Sequence, residues 1–127
     1  MNISTDIEIS ESAIFIRINQ YYREGMSSDT LYEATRGVWV IGKNRNKADY
    51  ALSIANGIVR EVYRINSWHP AGTTSYHTRS REDVNYPNRW EFLGEVAPSA
   101  IREKYLDKSV AHYFKRGAAN PIMYVNI

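Results

Sequence analysis

Cysteine is absent from the 127 residues. Its absence excludes disulfides, thiol nucleophiles, iron–sulfur clusters and every cysteine-based zinc site. No apolar run approaches the roughly 20 residues that a membrane-spanning helix requires. No signal-peptide pattern precedes the first strand-like segment, so the expected location is the cytoplasm, away from any membrane. Charge of one sign is lacking too. Sixteen basic residues face 14 acidic ones, and a net charge of +2 is too small to coat nucleic acid by charge alone. There is no phosphate-binding glycine loop, no dinucleotide fingerprint and no nucleophile elbow. Internal repeats and low-complexity segments are also missing.

What remains is a globular composition, 43% hydrophobic and 24% charged, in a chain long enough for one domain. The basic residues are 11 arginines and only 5 lysines, and the aromatics are 10 tyrosines and 3 tryptophans against 3 phenylalanines. Arginine offers a planar fork to phosphate and a flat face to a base. Both biases suit a polar, stacking ligand. They equally suit amphipathic side chains that coat a small β-rich domain.

Residues 1–12 are polar and acidic and read as an arm or an edge strand; residues 13–127 read as one domain. Ala13 to Asn19 alternates, with Ile14, Ile16 and Ile18 on one face, which is the pattern of a strand with one buried face. Ser27, Ser28 and Asp29 start a short helix that Gly37 ends. Val38 to Ile41 reads as a short strand, and Lys43 to Lys47 as a basic connection. Asn56-Gly57 marks a two-residue hairpin within Tyr50 to Ile65. Regular pairing from that turn sets Leu52 opposite Glu61. It gathers Ala51, Ser53 and Ala55 into a shallow groove beside Arg60 and Arg64. Residues 67–88 form a long aromatic and arginine-rich loop, a length that is usually functional or disordered. Arg89 to Val96 is a strand, Pro98 to about Leu106 a helix, Ser109 to Gly117 a second short helix, and Pro121 to Ile127 a closing strand. The fold expected is α+β: a mostly antiparallel twisted sheet or partial β-barrel with three short helices.

Four stretches together resemble a known domain. They are Met26 to Trp39 (MSSDTLYEATRGVW), Ala48 to Trp68 (ADYALSIANGIVREVYRINSW), Arg89 to Ala97 (RWEFLGEVA) and Lys108 to Asn126 (KSVAHYFKRGAANPIMYVN). The chain from about residue 14 onward resembles an uncharacterised domain that follows the nuclease domain in bacterial GIY-YIG proteins. No GIY…YIG pair stands near the amino terminus, so the resemblance carries over no catalytic residue. It implies a stand-alone copy of an accessory binding domain. In architecture the chain is also similar to PUA-like barrels, which bind RNA or flipped bases. In size and composition it is similar to phage anti-defence proteins that sequester the nucleotide signals of Thoeris and CBASS immunity. A protein of that kind would act in the host cytoplasm.

Arg79, Arg81 and Arg116 are the candidates to clamp phosphate, with Arg36 in support. Trp68 or Tyr76 is the candidate platform for a base, and the Asn120 amide can read a base edge or cap a turn. Against this, Arg36 can pair with a core-facing acid such as Glu61, because a buried carboxylate requires a partner. His69 and His77 lie near Glu82 and Asp83 in one loop, but the spacing fits no standard zinc pattern. Neither a metal nor a cofactor is expected. The reading is a non-catalytic protein that captures a small cyclic or ADP-ribose-type nucleotide. The alternative is an accessory RNA- or DNA-binding domain. Turnover of nucleotides is not expected, and a homo-oligomer is, built on the small-residue face of the hairpin.

Overall fold

The computed structural model describes residues 7–127. Six strands form one sheet in the order β2-β5-β4-β3-β1-β6. They are β1 Ala13–Arg17, β2 Gly37–Trp39, β3 Tyr50–Ala55, β4 Ile58–Pro70, β5 Trp90–Val96 and β6 Ile122–Val125. Only β1 and β3 run parallel; every other neighbouring pair is antiparallel. The sheet curls into a half-barrel, and three helices accompany it: α1 Ser28–Arg36, α2 Arg81–Val84 and α3 Ser99–Tyr105. The expected α+β architecture is the observed one. Its third helix is a different segment, because Ser109 to Gly117 yields only a 3-10 turn at Ala111–Tyr113 while α2 rises inside the long loop. Among the described residues no helix is long and apolar enough to cross a membrane.

The hairpin turn forms as its sequence dictates. Asn56 and Gly57 both adopt positive φ, 54° and 77°, as a type I′ turn demands. Ala55 pairs with Ile58 and Ile54 with Val59. Beyond that the regular register fails. A bulge between Ser53 and Ile54 sets Ser53 opposite Glu61 and Leu52 opposite Val62. One extra residue in a strand turns every later side chain to the other face. Val62 therefore joins Leu52, Ile54 and Val59 in one core, while Tyr63 and Ile65 join Ala51 and Ala55 in the other.

Both faces of the sheet are covered, which explains a second correction. β1 was expected to bury one face, yet Ile14, Phe15 and Ile16 are all fully buried. Phe15 meets Tyr113 and Phe114 on the face closed by α3, while Ile14 and Ile16 pack on the face closed by α1. Each such side chain removed from water contributes about 1.5–3 kcal/mol. Ala51, Ser53 and Ala55 are likewise fully buried, so the shallow groove expected there is core, and the argument for a homo-oligomer built on it falls. Residues 1–6 of the amino-terminal arm lie outside the described residues. Ile9 docks into the core, and Asn126 donates to the carbonyls of Ile9 and Glu11.

Candidate functional site

β4 continues to Pro70, so Trp68 and His69 belong to the sheet and the long loop begins at residue 71. The segment 71–80 lies between α1 and β5, and two buried carboxylates hold it. Glu91, fully buried on β5, accepts from the amides of Gly72 and Thr74 at 2.8 Å each. It also accepts from the Tyr76 hydroxyl at 2.9 Å and from the Thr74 hydroxyl. Glu33, 3% exposed on α1, accepts from the amides of His77 and Thr78 at 2.8 and 2.6 Å and from the Thr78 hydroxyl at 2.7 Å. Burial works to raise the Glu33 carboxyl. The Thr78 hydroxyl, the two amides and the Arg36 charge outweigh it and keep the group below its ordinary range.

Arg36 closes the cluster. It is 1% exposed, donates to the Thr74 hydroxyl at 2.7 Å and to the Ser75 carbonyl, and lies 3.7 Å from the Tyr76 ring centroid. Its Nε is buried without a partner. The expected pairing with Glu61 does not occur, because Glu61 is held by Arg102 at 2.7 and 3.2 Å. Burial raises the Tyr76 phenol; the neighbouring Arg36 charge opposes that, and Glu91 adds to it.

Arg79 anchors the end of the segment by donating to the carbonyls of Glu33 and Gly37 at the close of α1. Its position is the organising feature of the surface, because two clefts meet at this side chain. The first, about 480 Å³, is lined by Tyr21, Trp39, Tyr86, Arg89 and Thr78 as well as Arg79. Tyr21 and Tyr86 are 52% and 46% exposed, so their rings are open to a ligand. Arg89 lies 5.0 Å over the Tyr86 ring, an arrangement in which a guanidinium and an aromatic face are presented together. The second cleft, about 400 Å³, is lined by Gly72, Thr73, Thr74, Ser75, Tyr76, Arg79, Arg81 and Val84. It offers hydroxyls and two arginines, the donors that a phosphate accepts from. A smaller depression of about 300 Å³ adjoins the first cleft, sharing Tyr21 and Trp39 with it and adding Arg17 and Asn19.

Of the seven residues singled out in the sequence, the fold brings four together. Tyr76, Arg79 and Arg81 line the second cleft, and Arg36 lies buried beneath it. Arg36 can therefore act only by holding the segment and not by reaching a ligand. Trp68 is no platform at a loop entrance. It sits in β4 with its ring centroid 5.4 Å from that of Phe92, and its indole Nε1 is buried without a partner. Arg116 and Asn120 line neither cleft. Arg116 is exposed but follows the 3-10 turn rather than ending a helix. Asn120 caps a turn, its Oδ1 accepting from the Ile122 amide at 3.0 Å. Among the described residues no group of three or more His, Asp or Glu side chains could hold a metal ion. His69 is in β4, paired with Ser67, and does not share the loop with His77.

The reading of the sequence missed Tyr21, Tyr86 and Arg89 as cleft residues. Tyr21 lies in the connection before α1 and is separated from Tyr86 by 65 positions, so only the tertiary fold joins them. Tyr86 carried one local signal, an aromatic residue between Asn85 and Pro87 where an extended, exposed backbone is expected. No protein-family model, curated protein or solved structure matches the chain.

Proposed function

We propose that the protein is a non-catalytic binding module for a nucleotide-type ligand, seated across Arg79. One observation carries the reading: Arg79 is the shared wall of an aromatic cleft and a hydroxyl-rich one. A nucleotide has the matching division, a flat base at one end and phosphate at the other. Tyr86 and Tyr21 would stack on the base, a contact worth about 1–3 kcal/mol per base. Arg79, Arg81, Thr73 and Ser75 would take the phosphate, with Arg89 beside the base. The same geometry speaks against turnover. Glu33 and Glu91 are the most buried acids near the clefts, and both are occupied as acceptors that hold the segment 71–80. A carboxylate so engaged is poorly placed to move a substrate proton. Capture of a small cyclic or ADP-ribose-type signal, as an anti-defence sponge would do, fits this arrangement and the modest charge of +2.

One observation favours the alternative of an accessory RNA- or DNA-binding domain. The first cleft runs on past Tyr21 and Trp39 into the depression with Arg17 and Asn19, which gives a second nucleotide of a strand somewhere to lie. Self-association would use exposed apolar side chains such as Val40, Leu93 and Val96 in place of the buried hairpin face.

Thermal-shift titration separates these readings. Ligand at 100 times its dissociation constant stabilises by about 2.7 kcal/mol. A cyclic dinucleotide or ADP-ribose that raises the melting temperature, with the shift abolished by Arg81→Ala or Tyr86→Ala, supports capture. A shift given only by oligonucleotides, falling steeply with salt, supports the nucleic-acid reading. No shift from any of them rejects both.

A further inference from the structure

The aromatic cleft holds one carboxylate that a phosphate site has no use for. Asp83 lines the 480 Å³ cleft together with Arg79 and Arg89, and it does not line the hydroxyl-rich cleft. It stands in α2, where its backbone amide donates to the Ser80 side chain at 3.2 Å. That capping contact uses the amide and leaves the carboxylate open. Among the described residues Asp83 forms no ion pair, although two arginines share its cleft. The Arg89 guanidinium lies over the Tyr86 ring and forms no ion pair either. The cleft thus carries an acceptor-only group and a donor-only group that the fold keeps apart.

This pair bears on which base would lie there. Stacking on Tyr21 and Tyr86 does not choose, because every base has a flat face. Choice has to come from polar groups at the edge of the base. Guanine alone meets both charges. Its N1–H and N2 amino group are adjacent donors for one carboxylate, and its O6 and N7 are adjacent acceptors for an arginine fork. Adenine would turn the N1 lone pair toward Asp83 and its amino group toward Arg89. Uracil flanks its single N–H with two carbonyl oxygens, which a carboxylate repels. Cytosine has one donor group on that edge.

We propose that Asp83 and Arg89 make the cleft selective for a guanine nucleotide. Asp83 accepts from N1–H and the N2 amino group, and Arg89 donates to O6 and N7. The inference rests on the nucleotide reading of the site at Arg79 and narrows its ligand to one base.

The test is calorimetric titration of the intact protein with GMP, IMP, AMP and 2′-deoxy-GMP. GMP should bind about five- to 150-fold more tightly than AMP, the discrimination of one good bidentate base contact. IMP lacks only the N2 amino group and should fall about two- to tenfold below GMP, the span of one net hydrogen bond. The 2′-deoxy compound should match GMP. Asp83→Asn presents one acceptor and one donor, which suits adenine better than guanine. It also removes a negative charge from the neighbourhood of the phosphate. GMP should therefore weaken while AMP holds or tightens, and the ratio of the two should fall at least fivefold. A purely structural role for Asp83 would weaken both alike. Asp83 is exposed, so the variant should keep its melting temperature within a degree or two. Equal affinity for GMP and AMP would overturn base selection and leave the nucleotide site standing. Loss of affinity in the 2′-deoxy compound with no preference among bases would assign Asp83 to the ribose instead. Binding of none of the four would remove both readings.

Discussion

Replacing Glu91 by alanine should release the segment that joins the two clefts. Glu91 is fully buried and accepts from the amides of Gly72 and Thr74, the Thr74 hydroxyl and the Tyr76 hydroxyl. Truncation leaves four donors without their acceptor. A buried polar group left unpaired costs about 1–3 kcal/mol. Gly72, Thr74 and Tyr76 are only half-buried, so water reaches them once the segment lifts. That relief keeps the total near the about 3–5 kcal/mol lost when one member of a buried charged network is removed. Against a whole-domain stability of about 5–15 kcal/mol, the loss is large but survivable. Glu91→Gln retains one acceptor oxygen and the shape, and should fall between the alanine variant and the parent. The assay is urea unfolding followed by tryptophan fluorescence, with limited trypsin digestion under native conditions. The alanine variant should unfold at lower urea and be cut first at Arg79 or Arg81. A stability within about 0.5 kcal/mol of the parent, the range of unremarkable surface changes, would refute the reasoning. So would first cleavage elsewhere.

Acid should weaken the fold through the same segment. Glu33 has its folded pKa depressed by hydrogen bonds, so its contribution is complete above the unfolded value of about 4.3 and is lost as pH falls through the folded one. Urea midpoints should stay level from neutral pH down to about pH 5 and fall below it, and Glu33→Gln should flatten that fall. Gly57→Ala should cost about 1–2 kcal/mol in urea unfolding, since the φ of +77° is left-handed and the new methyl would meet the Ala111 Cβ at 3.0 Å. Gly94→Ala should cost about 1–3 kcal/mol, because its Cβ would overlap the Arg64 carbonyl oxygen across the β4–β5 ladder. Arg89→Ala touches only exposed groups, so it should leave the melting temperature within a degree or two while lowering affinity for a nucleotide ligand, read by calorimetry.

Local chemistry carried most of the fold. The Asn56-Gly57 turn, the Ser27 cap on α1 and the strand pattern of β5 are set by neighbouring residues, and they form where the sequence places them. The bulge near Ser53 was not legible, because nothing local distinguishes a bulged from a regular hairpin once both faces are to be buried. The full burial of β1 hid for the same reason: alternation of Ile with Phe and Arg looks one-sided until a second layer covers the other face. In the site, the abundance of arginine and tyrosine pointed to the segment after residue 71. It did not say which arginines stay open. Arg36 is spent on Thr74 and Ser75, Arg79 is half engaged with α1, and Arg81 and Arg89 remain exposed. Trp68 was misplaced because β4 runs on to Pro70 instead of ending at Ile65, which moves the ring from a loop into packing with Phe92.

The most direct test of a nucleotide ligand across Arg79 is amide chemical-shift mapping of the whole chain with ADP-ribose, a cyclic dinucleotide and a short single-stranded oligonucleotide. Saturable shifts should concentrate in residues 73–81 and 86–89 and at Tyr21, with the Tyr86 ring signals moving together with the Arg81 amide. Shifts confined to one cleft, centred elsewhere, or absent with all three ligands would contradict the proposal.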